Sequence, residues 1–533
     1  MKARPFLAAV LAAALVLLSA SALVWWGLLQ RGPLALQTQP LQLPLAARFV
    51  PRTAPLSLHW LVGPDQPAAY ARAVASPRNR REAAAALDRL RDAAFAAAGL
   101  DYATELAPWL GDQTSLALVT RPGEEGLPGW VLALRSRDSA GARSFLQRFW
   151  QIRSLAGTDL QITRYRGMGL ISGRGALLGQ QPQPLATALI NDDLVLIASG
   201  RGVLEQALDV SQIDELNQAG NPTLQQAVTQ LRHGVALLTA RPEALAPWLG
   251  LPIAEPEALT DLVAALRPSG SSLQLDALAQ LHSPLPPLPS AGADQLLAAL
   301  QAPASSLALL TSPAAMLNPA DPPDDNPWQQ LLAPVLTQVL AAADGPLPAL
   351  VAAADAGPLL WVQQPQGWLL GTEAARPALD AVQQALAAQG YSTSPLVSRG
   401  RSLTAWTRLQ SRPVKGNPDQ LQADLAGARD GAGAWAWWGQ GLTVLQQQHD
   451  GHQPPQQRLS QLQRLATPQA PFQWALDGGS ARDLLTGWSP WRLLTTLSST
   501  PLNPVVEGAA LSLEPDPADP RQLHLQAQLQ LGS

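Results

Sequence analysis

Apolar positions along the chain follow three patterns, and each predicts a different kind of element. The first is a continuous run. From Phe6 to Leu29 the sequence FLAAVLAAALVLLSASALVWWGLL, 24 residues, carries no charge. As a helix it would be about 36 Å long, enough for a bilayer core of about 30 Å. Lys2 and Arg4 precede it and favour a cytoplasmic N-terminus, a bias softened by Arg31 and Arg48 on the other side. Trp25 and Trp26 stand near the outer end, where indoles prefer the headgroup layer. Ala20-Ser21-Ala22 offers a competing cleavage site, but a secretory apolar region is only about 7–15 residues long. Residues 1–31 are therefore expected to be a cytoplasmic stub and an uncleaved anchor, with the lipid bilayer as partner of residues 6–29. Cleaved or not, the segment exports the rest of the chain.

The second pattern has a helical period. Residues 81–98 place Leu87, Leu90, Ala94 and Phe95 on one stripe and stop at Gly99. Residues 139–153 repeat Phe145, Phe149 and Ile152, flanked by Leu146 and Trp150, with Asp138 and Ser139 available as caps. Residues 374–389 line up Leu379, Val382 and Leu386, and Pro377 must then fall in the first turn.

The third pattern is short and alternating or wholly apolar, as in strands. ATALIN and LVLIAS flank Asp192-Asp193, and LLWVQQ and WLLGT flank Pro365-Gln366-Gly367, both hairpin signals. AWAWW (434–438) sets Trp435 and Trp437 on one side and Ala434 and Ala436 on the other.

Prolines cluster between these segments, at 282–293, 312–327, 412–418 and 450–457. They divide the body into a proline-rich stalk (32–50), a first α+β region (51–281), a proline-rich linker with a short strand (282–327) and a second α+β region (328–533). A strand, a polar residue and a helix start recur at 194–208, 234–250, 306–318, 368–386 and 472–488. ALLT appears at 236–239 and 308–311, and ELAPWLG (105–111) returns as ALAPWLG (244–250). Ser199, Thr239, Thr311 and Asp477 end such strands and can cap the next helix. The expected fold is α+β: an N-terminal transmembrane helix, then duplicated units of mostly antiparallel sheet with helices on one face.

Composition narrows the choices. Hydrophobic residues make up 47% and charged residues 14% of the chain, against a usual charged share of about 25%; a folded body is expected, not a disordered one. A net charge of −4 spread over the whole chain argues against a nucleic-acid partner, which needs concentrated Lys and Arg. The absence of cysteine removes disulfides, thiol nucleophiles, iron–sulfur clusters and cysteine zinc sites.

The N-terminal anchor, FVPRTAPLSLHWLV (49–62), the Pro108-Trp109-Leu110-Gly111 block and the strand–helix recurrences together resemble a family of cyanobacterial membrane-anchored proteins known only as a domain of unknown function. That resemblance implies an envelope or thylakoid address and assigns no chemistry or site residue.

A direct search for chemistry finds little. Ser172 in GLISG lacks the glycine of a nucleophile elbow, and Lys415 follows Val414, not the glycine of a P-loop. His449, Asp450 and His452 sit in a Gln/Pro/Gly stretch that reads as a solvated loop. Asp321, Asp324 and Asp325 are stiffened by prolines that supply no calcium ligands. His59 and His524 lie in strand-like runs and read as edge or surface residues. Arg78, Arg80 and Arg81 form a small basic patch at a helix start, either an exposed turn or a contact with anionic lipid or a partner. Trp109, Trp248, Trp488 and Trp491 read as core, whereas Trp435, Trp437 and Trp438 are close enough to cover a groove.

No catalytic, cofactor or metal residue is therefore assigned. The expected function is a membrane-tethered extracytoplasmic binding or scaffold protein with an unknown protein partner. Its body would lie in a periplasm or lumen, with the anchor in a plasma or thylakoid membrane. The alternative is an envelope hydrolase whose site is assembled from scattered residues.

Overall fold

The computed structural model describes residues 32–532 apart from 121–127, 156, 176–182, 252–257, 289–290, 318–325, 333–356, 375–378, 415–416, 452–453, 466–469, 499–501 and 503–504. The apolar run 6–29 lies outside the described residues, as do Pro377, Lys415, His452 and Asp321, Asp324 and Asp325. Among the described residues no helix is long and apolar enough to cross a membrane.

Among the described residues the body is α+β, built on one antiparallel sheet of 20 strands. In the first half these are β1 (Leu56–Trp60), β2 (Leu110–Val119), β3 (Gly129–Ser136), β4 (Gln161–Tyr165) and β5 (Met168–Gly175). They continue with β6 (Gln183–Ile190), β7 (Leu194–Ala198), β8 (Ala236–Ala240), β9 (Leu259–Ser269) and β10 (Ser272–Leu281). The second half holds β11 (Ser306–Leu310), β12 (Leu359–Gln364), β13 (Gly367–Glu373), β14 (Ser392–Ser398) and β15 (Arg401–Val414). It ends with β16 (Asn417–Asp430), β17 (Trp435–Gly439), β18 (Phe472–Asp477), β19 (Val506–Pro515) and β20 (Gln522–Leu531).

Pairing runs β4-β5-β6-β7-β3-β2-β1-β8-β9-β10 and crosses to β20-β19-β18-β11-β12-β13-β17-β16-β15-β14. Read inward from either end, the two halves use their ten strands in the same order. At the join Asp276 faces Gln526, each the fifth residue of its strand. Every strand of one half thus has a counterpart in the other, and the registers match residues to one another. Leu56–Trp60 answers to Ser306–Leu310, and β8 answers to β18. Strand 306–310, expected inside a linker, lies between β12 and β18.

Helices cover both faces of the sheet, not one as expected. Leu132, Leu134, Val195 and Ile197 meet Phe145, Leu146, Phe149 and Trp150 of the helix Ser139–Leu155. The alternate residues Val131, Ala133, Leu194 and Leu196 meet Val203, Leu204 and Leu208 of the helix Arg201–Val210. All five residues of β7 are buried for this reason, which is why LVLIA is apolar throughout rather than alternating. The hairpin into β7 turns through Asn191, Asp192 and Asp193, with Asn191 and Asp192 at positive φ, a region that Asn and Asp tolerate better than most residues.

Residues 32–50, expected as a free stalk, are part of the body. Leu36 packs with Val62, Tyr70 and Val235, Leu41 with Leu224 and Leu237, and Phe49 with the Leu194–Leu208 core. Prolines here set the path of a packed segment; its apolar side chains had no reason to stay in water. Of the four expected caps, Asp477 alone accepts from the next helix, at Ser480 N. Ser199 Oγ instead accepts the Trp130 backbone N–H, Thr239 joins a side-chain network, and Thr311 Oγ1 is buried without a partner.

Candidate functional site

The strand LSLHW turns Leu58 outward and its polar residues inward. Leu58 is 44% exposed, as is its cross-strand neighbour Leu116, while Ser57 and His59 are completely buried. On that inner side Ser57 Oγ lies 3.1 Å from His59 Nε2, 2.6 Å from Thr239 Oγ1 and 3.1 Å from Gln218 Oε1. Gln218 Nε2 donates to Thr239 Oγ1 at 3.1 Å. His59 Nδ1 and the hydroxyl of Ser115, directly across the ladder, are buried with no hydrogen-bond partner. Burial pushes the imidazole pKa down to about 4, against a smaller upward pull from Gln218, so the ring is neutral at pH 7. His59 is therefore not the edge or surface residue expected; it sits mid-sheet between β2 and β8. His524 lies on β20, an inner strand flanked by β10 and β19, so it is not at an edge, but it is half-buried and reaches the surface.

Gln218 and Thr239 connect this layer to a shallow crevice where the end of β8 meets the start of β9. Arg52, Ala54, Asn221, Thr223, Leu224, Ala240, Arg241, Asp261, Leu262 and Val263 complete its lining. Its wall is the first turn of the helix Pro222–Leu231, whose cap Asn221 accepts from Thr223 N. Arg241 pairs with Glu243 at 3.3 Å. Burial holds the Asp261 carboxyl above the usual range, against the pull of Arg241 and Arg52 and with a small push from Glu243. Among the described residues no side-chain hydrogen bond or ion pair engages Asp261 or the Arg52 guanidinium, so the crevice carries opposite charges that do not close on one another.

The second half shows what the fold itself requires at these places. Register puts Leu307, Leu309, Leu360 and Ala475 where the first half has Ser57, His59, Ser115 and Thr239, and all four lie in an aliphatic core. The crevice is filled there as well. Arg458, on the helix Gln456–Arg464, takes the place of Leu224, donates to Leu476 O and bonds Gln461 Oε1 at 2.6 Å. Gly508 stands in place of Asp261, and a Cβ there would run into the Gln461 amide and the Arg458 guanidinium. The same architecture is closed in one half and open and charged in the other.

Ser57 and His59 do not form a nucleophile and base. Both are sealed from solvent, and the Nδ1 that a carboxylate would orient has no partner. Ser172 is buried on β5 against Gln161 and Ala186. Among the described residues no group of three or more His, Asp and Glu could hold a metal. His449 and Asp450 close the helix Leu442–Asp450 and do not lie in a loop. His449 Nε2 lies 2.8 Å from Asp430 Oδ2, which also pairs with Arg401 at 3.1 Å; burial and Arg401 lower the His449 pKa against Asp430 and Asp450. Arg78, Arg80 and Arg81 are exposed. Trp109 and Trp491 are buried as expected, whereas Trp248 is exposed. The Trp488 Nε1–H bonds Leu249 O. Trp435 and Trp437 pack on one face of the sheet, and Trp438 stacks on Trp406 at 5.0 Å on the other, so the three indoles line no common groove.

The family described as Protein of unknown function (DUF3352) matches residues 10–473. The chain belongs to that family. Two solved structures of TP0453 are similar to parts of it. Crystal form I has a TM-score of 0.26 at 9% identity and covers 45% of this chain and 80% of its own. Crystal form III has a TM-score of 0.25 at 11% identity and covers 50% and 87%. Likeness at this level carries no argument about the site. No curated protein matches the chain. Family membership thus names no ligand for the crevice, and the contrast between the halves is what singles it out.

Proposed function

We propose that this DUF3352 protein is a membrane-tethered, extracytoplasmic binding protein, held in the bilayer by residues 6–29, and that the first-half crevice is its ligand site. The observation that carries the binding role is Asp261 and Arg52, charged and unengaged in the crevice lining, where the matching place in the second half is plugged by Arg458. A buried polar layer behind a charged opening costs stability. The second half builds the same strands from leucine, so folding does not call for it. Strand-order symmetry between the halves supports an origin by duplication, with one copy keeping the site open. The scaffold part of the role would rest on the long sheet, which displays the exposed Leu58–Leu116 pair on the face away from the polar layer.

Membrane tethering rests on the uncharged 6–29 run and on Lys2 and Arg4 before it. Protease added to spheroplasts should degrade the body, and protease added to inside-out vesicles should leave it whole; the opposite pattern would reject the export half of the proposal. The binding half is tested separately, by ligand titration.

A further inference from the structure

Taking the crevice as the ligand site, we infer that its ligand is a small zwitterion presenting a primary ammonium a few ångströms from an anionic oxygen group. The reasoning starts from charges that share a surface without meeting. Arg52 and Asp261 line the same crevice, yet no ion pair joins them, whereas Arg241 beside them is already engaged by Glu243. Asp261 is half-buried and Arg52 exposed, and two opposite charges held apart along one crevice are best satisfied by a molecule carrying the complementary pair. An ammonium would lie against the Asp261 carboxylate, which accepts its hydrogen bonds. A carboxylate or phosphate would lie against the Arg52 guanidinium, near the amino-terminal turn of the helix Pro222–Leu231, whose dipole favours an anion. Gln218 and Thr239 offer neutral donors and acceptors at the inner wall, and Ala54, Ala240, Leu262 and Val263 supply an apolar remainder. The crevice is shallow, so it holds the charged end of its ligand and leaves the rest outside.

A purely anionic ligand fits poorly, because Asp261 faces it, and a purely cationic one leaves Arg52 unanswered. Two sources present the required chemistry: a free amino acid and the phosphoethanolamine end of a lipid.

Isothermal titration of the full-length protein in detergent at pH 7 separates these possibilities, with L-alanine and O-phosphoethanolamine as zwitterions and acetate, inorganic phosphate and methylammonium as their halves. One zwitterion should bind about tenfold or more tighter than either of its halves, and which one it is identifies the source. Asp261→Asn and Arg52→Gln should each weaken that binding by about tenfold or more. Leu224→Arg, which introduces the second-half plug, should abolish it while the protein stays folded by circular dichroism. Phosphate or acetate binding as tightly as the zwitterion, and lost in Arg52→Gln, would overturn the zwitterion inference and leave the crevice a ligand site. No binding by any of the five, or binding untouched by all three variants, would overturn both.

Discussion

The two halves of the sheet make the same ten-strand path from different interiors. Around β1 the first half buries a serine, a histidine and a second serine beside a half-buried threonine; around β11 the second half buries three leucines and an alanine. The traffic also runs the other way. Asp430, held by His449 and Arg401, stands where the first half has Ala188 in an aliphatic core. A polar group present in one half and replaced by hydrocarbon in the other is not something the strand order demands. Each half therefore serves as a control for the other, and the residues that fail the comparison are those with a task besides folding.

The sharpest break of that comparison is to put the polar residue in the wrong half. Leu309→His would bury an imidazole among Leu307, Leu360 and Ala475, facing the buried Gln473 across the ladder. It should cost about 3–5 kcal/mol by denaturant melts, enough to lower the midpoint well outside error.

A slightly smaller effect is expected from acid. His59 is neutral in the folded state with its pKa near 4, and it takes up a proton near 6.5 once unfolded. The unfolded chain binds more protons between those values, so stability is full above pH 6.5 and falls as pH drops toward 4, by on the order of 3 kcal/mol. His59→Leu should flatten that part of the stability profile, and Leu309→Met in the other half should not.

Asp430→Asn removes the charge that His449 and Arg401 share. It should destabilise by about 2 kcal/mol, with the loss of hydrogen-exchange protection centred on the end of β16, the start of β15 and the helix Leu442–Asp450. The smallest effect carries the opposite sign. Asp261→Asn relieves a carboxylate disfavoured by burial and should raise stability by less than about 1 kcal/mol at pH 7, the usual sign of a residue kept for function.

Much of the fold was legible in the chain. The hairpins into β7 and β13 and the helices Arg80–Ala97, Ser139–Leu155 and Leu379–Ala388 appear close to where periodicity puts them. The antiparallel α+β character follows from those hairpins. Repetition was visible too, but the most similar strings misled. ALLT falls on β8 and on β11 into Thr311, which are not counterparts, and APWLG falls on the entry to β2 and on the helix Pro242–Leu249. True counterparts share position and spacing of burial, not residues, so they emerge only from the pairing.

The crevice was harder to read because the usual rule points the wrong way at β1. Apolar residues facing in and polar residues facing out would bury Leu58 and expose His59; here two helical layers and an exposed leucine pair invert the assignment. One signal was available. Ser57 and His59 alternate with leucine in a strand followed closely by apolar Leu61-Val62, and Thr239 recurs in a strand otherwise made of leucine and alanine. Arg52, Asp261 and Gln218 come from three distant segments, and no spacing in the chain could have joined them.

The central claim is that the first half keeps its polar layer for binding and not for folding. Ser57→Leu, His59→Leu, Ser115→Leu, Thr239→Ala and Gln218→Leu, made together, give it the chemistry of its partner half. Urea unfolding of that variant from pH 7 to pH 4 is the direct measurement. A folded protein at least as stable as the parent at pH 7, without the parent's loss of stability on the acid side, is the predicted result. A chain that cannot fold, or one that still loses stability below pH 6.5 as the parent does, would contradict it.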